Sequence, residues 1–495
     1  MAKWWTLVAV CVATFMLLLD ITVVNVALPY IERDLNASFE DLQWVIDAYA
    51  LTLAAFLLTA GSVADGFGRR RVFVLGLVVF TVASALCGLA GSPLVLNLAR
   101  GLQGVGGGMM FATSLALLAS AYAGRDRGTA IGIWGATIGA AVAVGPLVGG
   151  VLVEAIGWEA IFFVNLPIGV AAVALTQARV AESRSPQGGA IDWAGTVTFS
   201  AALFLMVFGL IRGNAENWGA PIIACLVAAA ALLVAFVAVE RRTAQPIFDL
   251  SLLRNSSFCG ASITAFVLSA AMFAMFLYLT LYVQNILGYS ALEAGLRFLP
   301  ITVVSFVVAP FAGKLAERVG VRVFLGAGLT LVGAGLLLMR GLAPGDDWTA
   351  LLAGFLVAGG GIGMTNPALA TAAIGVVEPR RAGMASGINS TFRQVGIATG
   401  IAAWGAVFQH EVARTFTAAG GRGVPPGSDA ADFVAFGGAT RSGDPALARV
   451  AEQAFDSGLN EILLLAAIVA FVGAALAAVL VRPSDFVSTE AVPGA

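Results

Sequence analysis

The sequence predicts an all-helical protein that crosses a membrane many times. Of its 495 residues, 59% are hydrophobic and only 11% are charged, and the mean hydropathy is +0.92. Apolar stretches of about 20 residues, the length that spans a hydrocarbon core, recur along the whole chain. A water-soluble domain of this size would carry far more charge. We therefore predict a polytopic bundle of fourteen transmembrane helices.

The predicted spans follow one another in order, most of them with short connections. They lie near residues 5–30, 43–64, 72–91, 93–122, 128–155, 158–178, 193–212, 219–240, 258–285, 294–315, 322–342, 348–375, 384–412 and 460–482. The first span resembles a signal peptide but has no convincing cleavage site and carries Asp20, so we expect it to be retained.

Basic residues favour one side of this predicted topology. Alternate connections collect most of them, including Arg69–Arg71 and Arg380–Arg381, whereas the other connections hold only Arg33, Arg212 and Arg340. The positive-inside rule then predicts that both termini are cytoplasmic.

Two sequence patterns occur twice. The pattern Gly61–Gly68 after span 2 returns as Gly313–Gly320 after span 10, and Gly128–Ile133 at span 5 returns as Gly383–Ile388 at span 13 with nearly the same offset. Spans 1–6 and 9–14 are thus predicted to be two copies of one bundle, as in alternating-access transporters. The predicted domains are a six-helix bundle at 1–185, two inserted helices at 186–250, and a second six-helix bundle at 251–495 with an irregular outer loop at about 415–458.

Asp20 is the most informative single residue, because it lies in the middle of the first apolar span with no basic residue beside it. A carboxylate at membrane depth costs about 2.5–3.5 kcal/mol, so we expect it to bind a proton or a cationic substrate. Arg100 in span 4 lies at a similar depth and could control whether Asp20 holds a proton. The alternative is a permanent structural ion pair.

Several further motifs have a physical interpretation. After span 2, Asp65 is placed to cap a helix or to pair with Arg69 four residues on, so the loop could act as a conformational latch or as a static cap. The latch set is Gly61, Asp65, Gly68, Arg69 and Arg70. In span 5, the cluster Gly145, Pro146, Gly149 and Gly150 combines small residues with a helix-bending proline. Close helix packing explains the regularly spaced glycines of span 5 about as well as function does, but this cluster favours a hinge or seal.

Together these motifs resemble the major facilitator superfamily, and within it the fourteen-helix drug:proton antiporter family. The residues that carry the resemblance are Gly61, Ala64, Asp65 and Gly68–Arg71; Leu96, Arg100, Gln103, Gly104 and Gly106; Gly145, Pro146, Gly149 and Gly150; Asp192, Trp193 and Gly195; and Asn389, Arg393, Gln394 and Gly396. The resemblance implies two bundles, proton transfer through the Arg100 motif, and antiport through the Gly145–Gly150 motif.

Other residues are candidates for the substrate cavity. They are Asp20, Asp47, Gln103, Met275, Tyr278, Asn389 and Arg393. The aromatic and methionine residues of span 9 would give an adaptable apolar lining. The alternatives are that this stripe is core or lipid-facing, and that Arg393 anchors backbone carbonyls.

Taken together, the sequence predicts a proton-coupled exporter of amphipathic drugs, antibiotics or secondary metabolites. The alternatives are a proton-coupled importer, a non-transporting sensor, or a membrane-embedded enzyme. A serine nucleophile at Ser386 is excluded from pairing with His410 in the same helix, because helical rise separates them by about 36 Å. The sequence has no P-loop for nucleotide binding.

The expected partners are a small-molecule substrate, protons and the lipid bilayer, without nucleic acid and without a cofactor. The energy source is then the proton gradient. Arginine outnumbers lysine, and alanine and glycine abound, as is typical of a GC-rich bacterial genome, so we expect a protein of a bacterial plasma membrane. We also expect it to be monomeric. The four cysteines lie in apolar segments and offer neither a disulfide framework nor a metal site.

Overall fold

The computed structural model describes residues 2–37, 39–122, 124–184, 192–213, 216, 218–243, 248–377, 382–421, 424, 430–435, 437–438 and 443–486. Within this part of the chain there are fourteen long helical segments. The first six are α1 (Ala2–Leu35), α2 (Phe39–Phe67), α3 (Arg69–Gly88), α4 (Pro93–Ala121), α5 (Gly124–Ala155) and α6 (Ala160–Arg179, interrupted at Val164). Two more follow, α7 (Trp193–Gly213) and α8 (Ala220–Glu240).

The last six long helices are α9 (Ser256–Ile286), α10 (Ala291–Val319), α11 (Val321–Leu338), α12 (Leu352–Gly375), α13 (Ala382–Ala418) and α14 (Pro445–Leu480). Eleven helices are long and apolar enough to cross a membrane, and a bent pair in α2 raises the number to twelve, among the residues that were described. The predicted polytopic helical fold is confirmed.

The sequence repeat is visible in the local structure of the two halves. Gly68 after α2 and Gly320 after α10 occupy corresponding positions and have φ angles of 121° and 107°. Side chains rarely tolerate this conformation, so glycine is needed at both turns. At the other end of α10, Ser290 and Glu293 form a capping box that begins the helix.

Helices α1–α6, called here the first bundle, and α9–α14, called the second bundle, pack in the same order. Helices α2 and α3 pack on α4 as α10 and α11 pack on α12, and α3 contacts α6 as α11 contacts α14. Each bundle has its own apolar core, which includes Phe73 and Phe80 in the first and Phe355 and Phe455 in the second.

The two bundles meet along two seams. On one, α5 packs against α10 and α12, and on the other, α2 and α4 pack against α13. The inserted helices α7 and α8 pack on each other, and α7 also contacts α2 and α13. Ser200 of α7 donates a hydrogen bond of 3.0 Å to the carbonyl oxygen of Ala55 in α2. The inserted pair therefore covers the outside of the second seam.

The start of α1 and the end of α14 lie on one face of the molecule, called here the terminal face. Lys3 pairs with Asp126 at the start of α5, and the backbone N–H of Arg482 donates to Ser257 at the start of α9. The other end of the helices is called the opposite face.

The expectation of an irregular loop at about 415–458 is wrong for much of its length. Helix α13 continues to Ala418, a short helix spans Ala430–Ala435, and α14 begins at Pro445. Residues 422–423, 425–429, 436 and 439–442 of the predicted loop lie outside the described residues. The start of α14 has a local cause, because the Asp444 side chain accepts a 2.9 Å hydrogen bond from the N–H of Ala446 and a proline follows it.

Candidate functional site

The carboxylate of Asp20 lies inside the first bundle and accepts three hydrogen bonds. Its Oδ2 atom is 2.5 Å from Nη1 of Arg100, and its Oδ1 atom accepts from Gln103 Nε2 at 2.8 Å and from Asn165 Nδ2 at 3.1 Å. The Asp20 and Arg100 side chains are 0% and 1% exposed. The two residues that the sequence places at similar depth therefore form a direct ion pair, supported by two amides.

Arg100 also has partners other than Asp20. Its Nε atom donates to the carbonyl oxygen of Val45 at 2.9 Å, and its Nη1 atom donates to Oε1 of Gln103 at 2.6 Å. The guanidinium carbon lies 4.3 Å from the centroid of the Tyr49 ring, in a cation–π contact. Because these partners do not depend on Asp20, Arg100 would keep two acceptors and an aromatic face if Asp20 took up a proton.

Asn165 and Ser84 complete this network, although neither was singled out from the sequence. Ser84 Oγ lies 2.7 Å from Gln103 Nε2 and 3.3 Å from Asn165 Nδ2 and accepts from both amides. Asn165 follows the interruption of α6 at Val164. An amide within an apolar span is itself a signal, for the same reason that Asp20 is. Its partners could not be inferred, because they come from two other helices, α1 and α3.

The predicted latch residues meet the second bundle on the terminal face. Arg69 donates from Nε at 2.9 Å and from Nη2 at 2.8 Å to Oδ1 of Asp65. The other oxygen of Asp65 accepts a 3.0 Å hydrogen bond from the backbone N–H of Met384. Met384 lies in the first turn of α13, where backbone N–H groups have no partner within the helix. Asp65 therefore caps a helix of the opposite bundle.

The rest of the latch is held within the first bundle by Glu182, a residue that sequence reasoning missed. Oε1 of Glu182 accepts from the backbone N–H of Arg70 at 3.0 Å, and the Arg70 side chain donates to the carbonyl oxygen of Val180 at 3.2 Å. A methyl group on Gly68 would lie 2.9 Å from the Glu182 carboxylate, so glycine is also needed there for space. Gly61 lies inside α2.

The glycines of the predicted antiporter motif face two different neighbours. A methyl group on Gly145 would overlap Thr22 Oγ1 of α1, and one on Gly149 would lie 3.2 Å from the carbonyl oxygen of Val23. Gly150 instead faces Leu292 of α10 at 3.8 Å. The side chain of Pro146 lies outside the described residues. Gly145 and Gly149 therefore allow α5 to pack closely against α1, whereas Gly150 lies on the side of α5 that faces the seam between the bundles.

Closer to the terminal face, α5 approaches the second bundle directly. A methyl group on Gly132 would lie 3.0 Å from the carbonyl oxygen of Ala309 and 3.1 Å from Cα of Pro310, both in α10. A methyl group on Gly313 of α10 would overlap the carbonyl oxygen of Gly128. The small residues on both helices allow the two backbones to come into contact across this seam.

Four of the expected cavity residues lie in bundle interiors instead, and Asp20 in the network above is one of them. Met275 and Tyr278 are 0% and 5% exposed and belong to the apolar core of the second bundle. The Tyr278 hydroxyl donates to the carbonyl oxygen of Ile401 at 2.9 Å, and its ring packs on Phe408 of α13. Gln103 is 0% exposed within the Asp20 network. These residues do not line a cavity in this structure, because the orientation of each helix about its axis points their side chains into the interior of a bundle.

Other polar candidates lie nearer the seams. Nη2 of Arg393 in α13 donates at 3.2 Å to the Asn366 side chain of α12, a residue that faces Gly135 of α5. Asn389 is 4% exposed, and its Nδ2 atom has no hydrogen-bond partner among the described residues. Asp47 in α2 is half-buried, and the nearby charged group that acts on it is Arg212 of α7.

Helices long enough to span a bilayer, two bundles with the same packing order, and an ionic network buried at membrane depth together define a multi-pass membrane transporter. The chain belongs to the major facilitator superfamily, because that family's model matches residues 10–401. It is therefore a transporter and not an enzyme.

Relatives with names support the same assignment. The chain is 37% identical over 422 residues to the multidrug resistance protein Stp of Mycobacterium tuberculosis (strain CDC 1551 / Oshkosh), covering 85% of this chain and 78% of that protein. It is 34% identical over 492 residues to the tetracenomycin C resistance and export protein of Streptomyces glaucescens, covering 96% and 91%. The solved structure of the proton:xylose symporter XylE shares the fold, with a TM-score of 0.65, 14% identity, and coverage of 97% of this chain and 96% of that one.

Proposed function

We propose that this protein is a proton-coupled exporter of amphipathic drugs, antibiotics or secondary metabolites. Relatives that match most of the chain are named for multidrug resistance and for resistance and export. The observation that carries the coupling proposal is the fully buried Asp20–Arg100 pair inside the first bundle. A single titratable carboxylate at this depth, with a cation that can be released to other acceptors, is a means of binding and releasing one proton per cycle.

The proposed coupling step uses the contacts of Arg100. When a proton binds Asp20, the attraction between the two side chains ends, and Arg100 stays bound to Val45 and Gln103. Helices α1, α4 and α6 meet at Asp20, so the loss of one contact there changes the packing of three helices. We infer that Asn165 and Ser84 position the carboxylate for this exchange.

The proposed gate is the Asp65 contact on the terminal face. Asp65 bridges the bundles through the N–H of Met384, so the terminal face is held closed while this hydrogen bond exists. The bias of basic residues supports a cytoplasmic location for this face and for both termini. The opposite face, which carries the connection between α13 and α14, then lies on the outer side of a bacterial plasma membrane.

The proposed substrate path runs between the bundles, where Arg393 and Asn389 provide polar groups and Asp47 provides a half-buried carboxylate. Helix α5 contacts α1 on one side and α10 on the other. Because it carries the antiporter motif, we infer that α5 acts as a hinge or seal. We propose that the protein works as a monomer and takes its energy from the proton gradient, without a cofactor.

Flux into proteoliposomes with an imposed pH gradient tests the proposal. With an acidic lumen, a drug:proton antiporter accumulates substrate inside, whereas a proton-coupled importer does so only with an alkaline lumen, and a sensor shows no flux in either case. Ethidium and tetracenomycin C are suitable first probes, and Asp20→Asn is the control variant. Accumulation that requires an alkaline lumen would overturn export, and flux that is independent of a pH gradient would overturn proton coupling.

A further inference from the structure

A second buried carboxyl group lies far from the Asp20 network. Asp456 of α14 is 2% exposed, and neither of its carboxyl oxygens has a hydrogen-bond partner among the described residues. The hydroxyl of Tyr282, at the end of α9, is likewise buried and without a partner in the described part of the chain. Nothing in the coupling and gating steps above uses either residue.

Asp456 is the middle member of a polar stripe on α14 that faces the connection between α11 and α12. Glu452, Asp456 and Asn460 are spaced four residues apart and share one side of the helix. Glu452 Oε1 accepts from the N–H of Gly345 at 2.8 Å, and Asn460 Oδ1 accepts from the N–H of Gly341 at 2.7 Å. We call residues 339–348 together with Pro445–Asn460 the outer cap of the second bundle. The two ends of the stripe hold the cap together, while its buried centre has no partner.

The charged groups around Asp456 have the same sign as its carboxylate. Glu452 from its own helix and Asp346 from the α11–α12 connection act on it, and Asp347 adds to the field at Tyr282. From α13, Glu411 is already bound to Ser457 Oγ at 2.9 Å and to Arg414 at 2.8 Å. Arg340 of the connection lies beside Asn460, one turn further along α14. Among the described residues, no basic side chain donates a hydrogen bond to Asp456. An ionised carboxylate in this position would be both desolvated and repelled.

We propose that Asp456 is a second proton-binding site, occupied while the outer cap is closed. The proton comes from bulk water at the opposite face and binds one carboxyl oxygen, so that the buried group is neutral. When residues 339–348 separate from α14, water reaches Asp456, the proton returns to solvent, and repulsion from Glu452 and Asp346 opposes reclosure. The cap therefore closes with uptake of one proton, independently of Asp20.

Infrared difference spectroscopy of the purified protein in lipid nanodiscs tests for the proton itself. In mildly acidic buffer, below the raised pKa of about 7, the wild type is expected to show the carbonyl band of a protonated carboxyl group, and Asp456→Asn should lose it. Glu452→Gln is the matched control, because it removes a neighbouring charge one turn away and keeps an oxygen acceptor for Gly345. Glu452→Gln and Asp20→Asn should both retain the carbonyl band of Asp456. Identical spectra for wild type and Asp456→Asn would show that Asp456 is ionised and would overturn the proposal.

Thermal stability against pH provides a second measurement. Burial and the neighbouring carboxylates raise the pKa of Asp456 from 3.8 to about 7. The stabilising effect of the protonated group is complete below the lower pKa and is lost as pH rises to the higher one, so the melting temperature of the wild type should fall between about pH 4 and pH 7. Asp456→Asn should remove this slope, and Glu452→Gln should keep it. Asp456→Leu, of similar volume, replaces the asparagine variant if that variant does not fold. A slope that persists in the folded variant would contradict the site, whether or not the protein exports drugs.

Discussion

Asp65→Asn tests whether the hydrogen bond between bundles controls the conformational equilibrium. The variant keeps the size of the side chain but removes the charge that the Met384 N–H contacts at 3.0 Å. The hydrogen bonds from Arg69 lie within the first bundle. Their loss should therefore weaken the open and the closed conformation about equally and change the equilibrium between them little. Among the hydrogen bonds described for Asp65, the Met384 contact is the one that joins the two bundles, so we expect it to be lost when the terminal face opens.

The expected size follows from this one contact. A hydrogen bond to a charged group contributes about 1.5–3 kcal/mol and a neutral one about 0.5–1.5 kcal/mol, and the Asp65 and Arg69 side chains are 14% and 5% exposed, so solvent screens the contact little. The asparagine oxygen can still accept from Met384 as a neutral group, so the loss is about 1–1.5 kcal/mol, and the closed terminal face should become about 5- to 12-fold less favoured. Turnover should slow, because closing that face becomes the difficult step, while equilibrium drug affinity changes little.

Spin labels at Phe67 and Val319 report this change, because both residues are exposed at helix ends of different bundles. In a background without the native cysteines, the distance distribution should shift toward the longer, open population in Asp65→Asn. Arg71→Gln is the control, since Arg71 is 61% exposed and lies near Glu182 of its own bundle. Unchanged distances in Asp65→Asn would show a static cap. A large loss of drug affinity with normal turnover would show direct substrate contact.

Three further variants test the coupling network and the α5 seam. Asp20→Asn should insert normally but lose pH-driven export, and full flux at equal expression would remove Asp20 from the mechanism. Arg100→Ala leaves the buried Asp20 carboxylate without its ion-pair partner, so export should fall and its dependence on pH should change, whereas an equal loss at every pH would make Arg100 structural. Gly132→Ala places a methyl group 3.0 Å from the Ala309 carbonyl oxygen. It should cost about 1–3 kcal/mol of stability and lower both the melting temperature and the turnover. Gly139→Ala is the control, because its nearest contact is at 3.7 Å and it should resemble the wild type; equal effects of the two variants would mean that close approach at the seam is unimportant.

Features that depend on neighbours in the chain were predictable. Hydropathy identified the helices because the bilayer length and the cost of unpaired backbone groups apply to each segment separately. The Asp65–Arg69 contact follows from spacing of four residues, and helical rise alone put Asp20 and Arg100 at similar depth. Family membership followed from short motifs that lie within single helices and loops.

The start of α14 was also readable but was missed. Asp444 followed by Pro445 is a recognisable start of a helix. The residues after it are polar, so hydropathy alone did not show that the helix extends beyond the apolar span. Its polar stripe became meaningful only when the structure showed which connection it faces.

The sequence by itself determined the membrane-spanning architecture, the repeat, the family, and the carboxylate around which the proposed mechanism is built. Only the tertiary structure decided that Asn165 and Ser84 join Asp20, that Asp65 caps α13 of the other bundle, and that Met275 and Tyr278 face a core. The physical reason is that depth along a helix is set by a constant rise per residue, whereas the direction of each side chain around the helix is set by packing against partners distant in sequence.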